Sequence, residues 1–303
     1  MAREWLPITG TFINEITYDI PSQNWGADEW RADFDAMNAI GIDTVIIIKG
    51  GLRRETVFPS AVIGTPGTTD LASLFLAEAA ARGMKLWFGI YDSWEWARND
   101  TWREEVSINK RFMTEVKERY GAHPAFEGWY LTHETSHRRF HFRELYTELS
   151  EFARAITPEK PVLISPFYPS RKVYGDDALA PEEFADNWRQ MLRGVTTIDY
   201  AAFQDGTAPL ALLDAYLAQA KTVMDELGIT LWNNVETFTR EMPVKFPPID
   251  VRELDEKLRI AARYAVKNIT FEFSHFMSPN SCYPSAGNLY RRYRELLATH
   301  RTP

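Results

Sequence analysis

Two patterns of hydrophobic and polar positions alternate along the chain. Short runs rich in Val, Ile, Phe, Tyr and Trp recur, and stretches with the periodicity of an amphipathic helix separate them. Strands that alternate with helices in this way are typical of a parallel sheet. The sequence predicts eight such strands, at residues 8–17, 43–50, 85–93, 126–132, 161–168, 199–204, 230–238 and 268–276.

The predicted helices carry residues that favour helix ends. A glycine follows five helical stretches and precedes a strand, as at a C-terminal cap: Gly41, Gly83, Gly121, Gly194 and Gly228. An N-cap acceptor or a proline stands at or near the first turn of four helices: Asp70, Pro181, Pro209 and Asp250. These signals support the alternation of strands and helices that the periodicity predicts.

Eight βα units in 303 residues match the size of a closed (β/α)8 barrel, the TIM barrel, which is an α/β fold. An open doubly wound sheet would normally carry a glycine-rich phosphate turn after strand 1. Strand 1 instead ends in Asn14-Glu15-Ile16-Thr17, and no GxGxxG or GxxxxGKS/T sequence occurs. Because no linker or low-complexity segment interrupts the pattern, we expect one barrel domain over residues 1–303.

Apolar content, charge and cysteine content exclude several classes of protein. The longest apolar stretch, residues 44–48, is far shorter than the ~20 residues of a membrane-spanning helix, so we expect no membrane partner. A formal net charge of -8 opposes binding to nucleic acid. The lone Cys282 excludes an internal disulfide, and the first residues lack a signal-peptide pattern. We therefore expect a cytoplasmic protein.

The active site of a (β/α)8 barrel lies where the strands run into the following loops, so polar residues there are the first candidates. A carboxylate is costly to bury without a partner or a function. Any single one could also belong to a structural ion pair, and Glu272, between two phenylalanines, is the most ambiguous. The strand ends offer nine polar residues: Glu15, Lys49, Asp92, Glu134, Gln204, Asp205, Glu236, Glu272 and His275.

Two of these acids could cleave a glycosidic bond. The commonest mechanism needs two carboxyl groups on opposite sides of the bond, about 5 Å apart for retention of configuration and about 6.5–9.5 Å apart for inversion. Glu134 follows strand 4 and Glu236 lies near the end of strand 7, so a closed barrel can supply the pair. Four other acids could replace one member: Glu15, Asp92, Asp205 and Glu272.

Acids at the ends of strands 4 and 7 are the arrangement of clan A glycoside hydrolases, and the chain resembles these retaining barrel enzymes. It also resembles a bacterial barrel family of unknown function within that superfamily, in residues 8–30, 128–134 and 199–206. The resemblance implies a carbohydrate substrate, no cofactor, Glu134 as general acid/base and Glu236 as nucleophile. In clan A an Asn usually precedes the strand-4 acid, and here His133 stands in that place.

These roles require a raised pKa at Glu134, so that it is protonated near neutrality, and an ionised Glu236. Lys49 and Arg240 are candidate cationic supports. Sugar binding also needs aromatic faces, and several of the ten tryptophans lie beside strand ends, although packing in the core is their more common role. We predict eleven substrate-binding residues: Glu15, Lys49, Asp92, Trp94, Trp96, His133, Gln204, Asp205, Trp232, Asn234 and His275.

The same residues allow three other interpretations. Residues 133–137 match the zinc motif HExxH, but the motif binds zinc on a helix and here it follows a predicted strand. Acids and histidines on strand ends could also hold Mg²⁺ or Mn²⁺ for sugar isomerisation or epimerisation. A third possibility is a barrel that binds sugar without cleaving it. We therefore predict a hydrolase that needs neither a cofactor nor a metal.

Overall fold

The structure is a computed structural model that describes residues 3–17, 20–64, 69–137, 140–240 and 246–301. Its central feature is a closed barrel of eight parallel strands, in which consecutive strands are neighbours and the last strand pairs with the first. The predicted (β/α)8 fold is therefore confirmed. The barrel strands are β1 (Ile8–Ile13), β2 (Thr44–Ile47), β3 (Lys85–Gly89), β4 (Phe126–Leu131), β5 (Val162–Ile164), β6 (Tyr200–Gln204), β7 (Thr230–Glu236) and β8 (Asn268–Phe271).

Helices surround the barrel and connect its strands. They are α1 (Ala27–Ala39), α2 (Leu71–Ala81), α3 (Trp96–Asn99), α4 (Trp102–Tyr120), α5 (Phe142–Ile156), α6 (Arg171–Tyr174), α7 (Pro181–Met191), α8 (Leu210–Leu227), α9 (Val251–Ala261), α10 (Phe273–Phe276) and α11 (Pro284–Arg301). Short 3₁₀ turns cover Gly175–Asp177 and Asp205–Thr207. Three two-residue strands, Gly51–Leu52, Glu55–Thr56 and Tyr91–Asp92, form a small sheet beside the barrel. In the described part of the chain, no helix combines the length and apolar character that crossing a bilayer requires.

Several helix ends use the predicted residues. The Asp70 carboxylate accepts a hydrogen bond from the Ser73 N–H at the start of α2, and Pro181 is the first residue of α7. Asp250 caps α9 in the same way as Asp70. Gly228 ends α8 in the left-handed conformation, with φ of 72°, which a residue without Cβ adopts at little cost.

Two hydrophobic layers hold the barrel together. One lies between the strands and the helices, and the other fills the barrel interior with side chains from every strand. Trp87 and Trp232 meet edge to face in the interior, with ring centroids 5.7 Å apart. Trp232 is thus part of the packed core.

The last strand is shorter than its sequence suggests. Residues 268–276 were expected to form one strand because apolar and polar residues alternate there, but β8 ends at Phe271. The Phe273 N–H donates to the Thr11 hydroxyl of β1, and the chain then turns into α10, where the Met277 N–H bonds to the Phe273 carbonyl. Glu272 and His275 therefore lie on a strand-to-helix turn rather than within a strand.

Candidate active site

A cavity of about 640 Å³ opens at the carboxyl ends of the barrel strands. Six predicted residues line it together: Lys49, Asp92, Trp94, Trp96, His133 and Glu134. Its other lining residues are Asn14, Thr17, Ile48, Leu52, Ala97, Arg98, Phe140, Phe142, Phe167 and Phe271. The cavity thus combines acids, bases and aromatic rings at the face where barrel enzymes hold their active sites.

Glu134 follows β4, and its side chain is exposed to the open space of the cavity, whose walls surround it. The Tyr130 hydroxyl donates a hydrogen bond to its Oε1 at 3.4 Å. This enclosure raises the pKa of Glu134, and the nearby Lys49 ammonium and a hydrogen bond from Gln204 only partly offset the rise. The charge of Glu236 raises the pKa further. A carboxyl group in this environment can hold a proton at a higher pH than a free glutamate.

Glu236 is the last residue of β7, and its side chain is 1% exposed. Arg240 donates a hydrogen bond to each carboxylate oxygen, with its Nε 2.9 Å from Oε2 and its Nη2 2.7 Å from Oε1. Gly206 lies so close that a Cβ there would overlap with Oε2. The carboxylate therefore has one defined position, which the lack of a side chain at residue 206 permits.

The main chain of Glu236 is also held at both of its polar groups. Its N–H donates to Asp205 Oδ1 at 3.0 Å, and its carbonyl accepts from the Lys257 ammonium at 3.3 Å. Lys257 and Asp205 form a buried ion pair at 2.9 Å, and Asn233 donates to the second Asp205 oxygen at 3.4 Å. Asp205 was predicted to bind substrate, but its side chain is fully buried beneath the site. Its contacts fit a positioning role instead.

Lys49 and Asp92 form an ion pair in the cavity wall, with Lys49 Nζ 2.6 Å from Asp92 Oδ2. The other Asp92 oxygen accepts the Trp94 N–H at 2.7 Å. Burial alone would raise the pKa of Asp92, but the charges of Lys49 and His133 outweigh it and lower the pKa. Asp92 therefore stays ionised.

His133 is buried in the same wall and is oriented from behind. Its Nε2 lies 2.8 Å from Glu105 Oε1, on α4, and Glu105 also accepts the Ser93 N–H at 3.1 Å. The Nδ1 atom has no hydrogen-bond partner among the described residues. Residues 133–137 follow β4 outside any helix, so the HExxH pattern lacks the helical context that zinc binding requires.

Seven predicted residues do not line the cavity: Glu236 and Asp205, which lie beneath it, and five others. Gln204 is buried, donates to the Ser165 carbonyl at 2.9 Å and reaches Glu134 from β6. Asn234 donates to the Ser165 hydroxyl at 3.1 Å, also within the barrel. Glu15 accepts hydrogen bonds from Ser22 and Asn24. His275 forms a buried pair with Glu272, and Trp232 packs in the core, so the prediction that these two contact substrate finds no support in their positions.

Two charged residues that hold the site, Glu105 and Lys257, were not predicted. Both lie on helices, where a strand-end rule does not search. Each stands on the buried face of its helix, Glu105 beside Val106 in α4 and Lys257 beside Leu258 in α9. A charged residue on the buried face of a helix is the signal that could have found them, because burial of a lone charge is costly.

Comparison with other proteins gives a family match and several structural matches. The profile of a family described as a domain of unknown function, DUF4434, matches residues 8–283. A crystal structure of a proposed alpha-L-fucosidase from Bacteroides thetaiotaomicron VPI-5482 has 38% sequence identity to this chain and a TM-score of 0.93, over 97% of this chain and 94% of that chain. No protein with a curated description matches the sequence.

More distant structures share the barrel. The intracellular xylanase of Thermoanaerobacterium saccharolyticum has 14% identity and a TM-score of 0.54, over 89% of this chain and 86% of that chain. An endo-1,4-beta-D-mannanase from Thermotoga petrophila has 11% identity and a TM-score of 0.59, over 96% and 99% of the two chains. The predicted resemblance to glycoside hydrolase barrels and to a related family of unknown function is confirmed, at the level of fold for the distant enzymes.

Proposed function

We propose a function for this chain, which belongs to the DUF4434 family: it is a glycoside hydrolase that cleaves an O-glycosidic bond of an oligo- or polysaccharide. The observation that carries the proposal is the pair Glu134 and Glu236 at the ends of β4 and β7, with Glu134 open to the cavity. The shared fold of xylanase and mannanase barrels supports it. We further propose that residues 1–303 form one catalytic domain.

In this proposal Glu134 is the general acid. Its raised pKa favours the protonated form, and it gives that proton to the glycosidic oxygen as the bond to the anomeric carbon breaks. The ionised Glu134 then takes a proton from water in the second step. The Tyr130 hydroxyl and the Gln204 amide orient the carboxyl group toward the cavity.

Glu236 is the nucleophile. One of its oxygens attacks the anomeric carbon, and the resulting glycosyl ester is cleaved by the water that Glu134 activates, so that the product keeps its configuration. Arg240 covers both oxygens in this structure and is partly exposed, with 36% of its side chain accessible. The mechanism requires the Arg240 side chain to rotate and uncover one oxygen when substrate binds.

A metal-dependent isomerase is the alternative that the described residues support less well. Asp92, Glu105 and His133 could offer three ligand atoms close together. However, Asp92 already contacts the Lys49 ammonium at 2.6 Å, and Glu105 contacts His133 at 2.8 Å. A divalent cation would have to displace Lys49 from its partner, and the two positive charges would repel each other.

A hydrolysis screen tests the proposal. Its substrates are aryl glycosides and oligosaccharides of α-L-fucose, β-D-xylose and β-D-mannose, the first because the 38% identical protein is described as a proposed alpha-L-fucosidase. We expect the parent protein to cleave at least one substrate with or without EDTA. Glu134→Gln and Glu236→Gln should lower kcat at least about 100-fold, because each removes a group that reacts.

The matched control is Glu127→Gln, at the opposite end of β4, where the carboxylate pairs with Lys85 at 3.4 Å. It should retain parent activity. Activity that survives in both site variants would show that the assigned pair is wrong. Loss of hydrolysis with EDTA alone would favour a metal-dependent enzyme over the two-carboxylate mechanism, and sugar binding without turnover would favour a barrel that only binds carbohydrate.

A further inference from the structure

Two exposed aromatic side chains stand at the mouth of the cavity. Trp94 is 45% exposed and Phe140 is 58% exposed, and both line the same cavity as Glu134. The other cavity-lining tryptophan, Trp96, is buried at 5% exposure. Large exposed aromatic faces beside a polar cavity are typical of surfaces that a ligand covers.

The main chain holds Trp94 and Phe140 in an unusual conformation. Both residues have positive φ, 72° for Trp94 and 42° for Phe140, a region that side chains with a Cβ rarely adopt. The Asp92 carboxylate accepts the Trp94 N–H at 2.7 Å, and Lys49 fixes that carboxylate from the other side. The turn that presents Trp94 is therefore built from the polar residues of the cavity wall.

Charges near these rings also limit the ligand. Lys49 Nζ lies 5.8 Å from the centroid of the Trp94 ring, and the Arg53 guanidinium lies 5.9 Å from it. Because Lys49 and Asp92 neutralise each other in the wall, the pair offers hydrogen-bond donors and acceptors without net charge. The hydroxyl groups of a sugar can bond to both members of such a pair.

We propose that Trp94 and Phe140 form a subsite for a second, neutral sugar ring next to the one that is cleaved. The C–H face of that ring stacks on the aromatic side chains, and its hydroxyl groups bond to Asp92 and Lys49. The inference rests on the proposed hydrolase function and extends it, because it makes an oligosaccharide the substrate rather than the glycoside of a single sugar.

Substrates with one sugar and with several sugars separate the subsite from the catalytic pair. Glycosyl fluorides carry one sugar ring, so they report on the reaction without a second ring. We would compare kcat/KM for α-L-fucosyl fluoride with 2′-fucosyllactose, β-D-xylosyl fluoride with xylotriose, and β-D-mannosyl fluoride with mannotriose. In Trp94→Ala and Phe140→Ala the ratio of oligosaccharide to fluoride kcat/KM should fall about tenfold, the effect of one lost aromatic contact.

Leu212→Ala is the matched control, because Leu212 is 44% exposed on α8 and does not line the cavity. It should leave the ratio unchanged. An unchanged ratio in both aromatic variants would overturn the subsite even if hydrolysis is confirmed. If the parent cleaves none of the substrates, the hydrolase proposal fails, and calorimetry with the same oligosaccharides decides the subsite: binding weakened by Trp94→Ala supports it, and binding that is absent or unaffected overturns it.

Discussion

At the scale of single residues, Glu134 and Glu236 lie in contrasting environments although both follow barrel strands. Glu134 faces the cavity, and its enclosure raises its pKa. Glu236 is buried and accepts hydrogen bonds from two nitrogens of the Arg240 guanidinium. Two carboxyl groups whose surroundings differ in this way are suited to different roles, one as an acid and one as a nucleophile.

The pKa of Glu134 gives a prediction for Lys49→Met. Lys49 lowers the pKa of Glu134, so its removal should raise that pKa further. Because the acid must be protonated, activity falls as the pH rises through its pKa, and the basic limb of the kcat/KM profile should move to higher pH. Measurement of the profiles of the parent protein and the variant checks this.

Lys85→Met is the control for the pH profile, since Lys85 lies at the other end of the barrel, at the start of β3, and its side chain is 52% exposed. It should leave the basic limb in place. A basic limb that stays fixed in Lys49→Met, or moves to lower pH, would contradict the assignment of Glu134 as the acid.

Asp205 and Lys257 give a second prediction at this scale. Asp205→Asn removes the charge that pairs with Lys257 below Glu236, so the main chain of Glu236 should lose part of its support. We expect kcat to fall by about 10- to 100-fold with a smaller change in KM, because a shift of a reacting group by a fraction of an ångström suffices for such a loss. Stability should fall by about 3–5 kcal/mol, as an unpaired buried ammonium is left.

The double variant Asp205→Asn with Lys257→Met separates the two effects. It removes the unpaired charge and should recover part of the free energy of unfolding, while kcat stays low because the Glu236 N–H and carbonyl have lost the charged pair. Recovery of full kcat in the double variant would show that the pair stabilises the fold without positioning Glu236.

At the scale of elements, alternation along a strand predicts which residues face the interior but not how far along the barrel they lie. Trp232 and Glu236 are both in β7, four positions apart, and both side chains point inward. Trp232 stands near the start of the strand and fills the core, whereas Glu236 ends it. Trp232 was predicted to bind substrate, but its place near the start of the strand puts it in the packed core instead.

The end of β8 was mispredicted for a related reason. The order Phe271, Glu272, Phe273 alternates as a strand does, but the Phe273 N–H bonds to Thr11 and the chain turns into α10. A contact between residues so distant in sequence cannot be read from a local pattern. The buried helix residues Glu105 and Lys257 were missed for a different reason, since a rule based on strand ends does not search helices.

The connection between α1 and the segment after β8 gives a prediction for stability. Asp33 on α1 is fully buried and accepts hydrogen bonds from Ser274, Ser278 and Asn280. Burial raises the pKa of Asp33 to about 6, although these hydrogen bonds lower it. Its pKa in the unfolded chain is near 3.8, so its contribution to stability is full below that pH and is lost as the pH rises to about 6.

In the parent protein, Asp33 should therefore lower the free energy of unfolding by up to about 3 kcal/mol between pH 4 and pH 7, and this decrease should be absent in Asp33→Asn. Urea denaturation at several pH values measures it. Asp35→Asn is the control, because Asp35 lies on the same helix, with 66% of its side chain exposed. The account would be contradicted if comparison of the parent with Asp33→Asn showed that Asp33 raises the free energy of unfolding as the pH increases over this range.

At the scale of the whole molecule, closure of the barrel explains why so much of the site was predictable. The carboxyl ends of parallel strands meet at one face, so residues distant in sequence such as Lys49, Asp92 and Glu134 line one cavity. The period of hydrophobic residues predicted the eight strands. Three of the nine polar strand-end residues line the cavity, and so do three other residues that were predicted to bind substrate. The exposed Phe140 was not predicted, since it lies in a loop whose course no periodicity describes.

The most direct test of the central claim is to trap the glycosyl-enzyme with 2-deoxy-2-fluoro glycosyl fluorides of the three sugars in the hydrolysis screen. The fluorine slows hydrolysis of the ester, so a retaining enzyme accumulates it. The account predicts a mass increase of one fluoroglycosyl group and a labelled peptide that carries it on Glu236. A label on a different carboxylate, or no label in a protein that hydrolyses the matching glycoside, would contradict it.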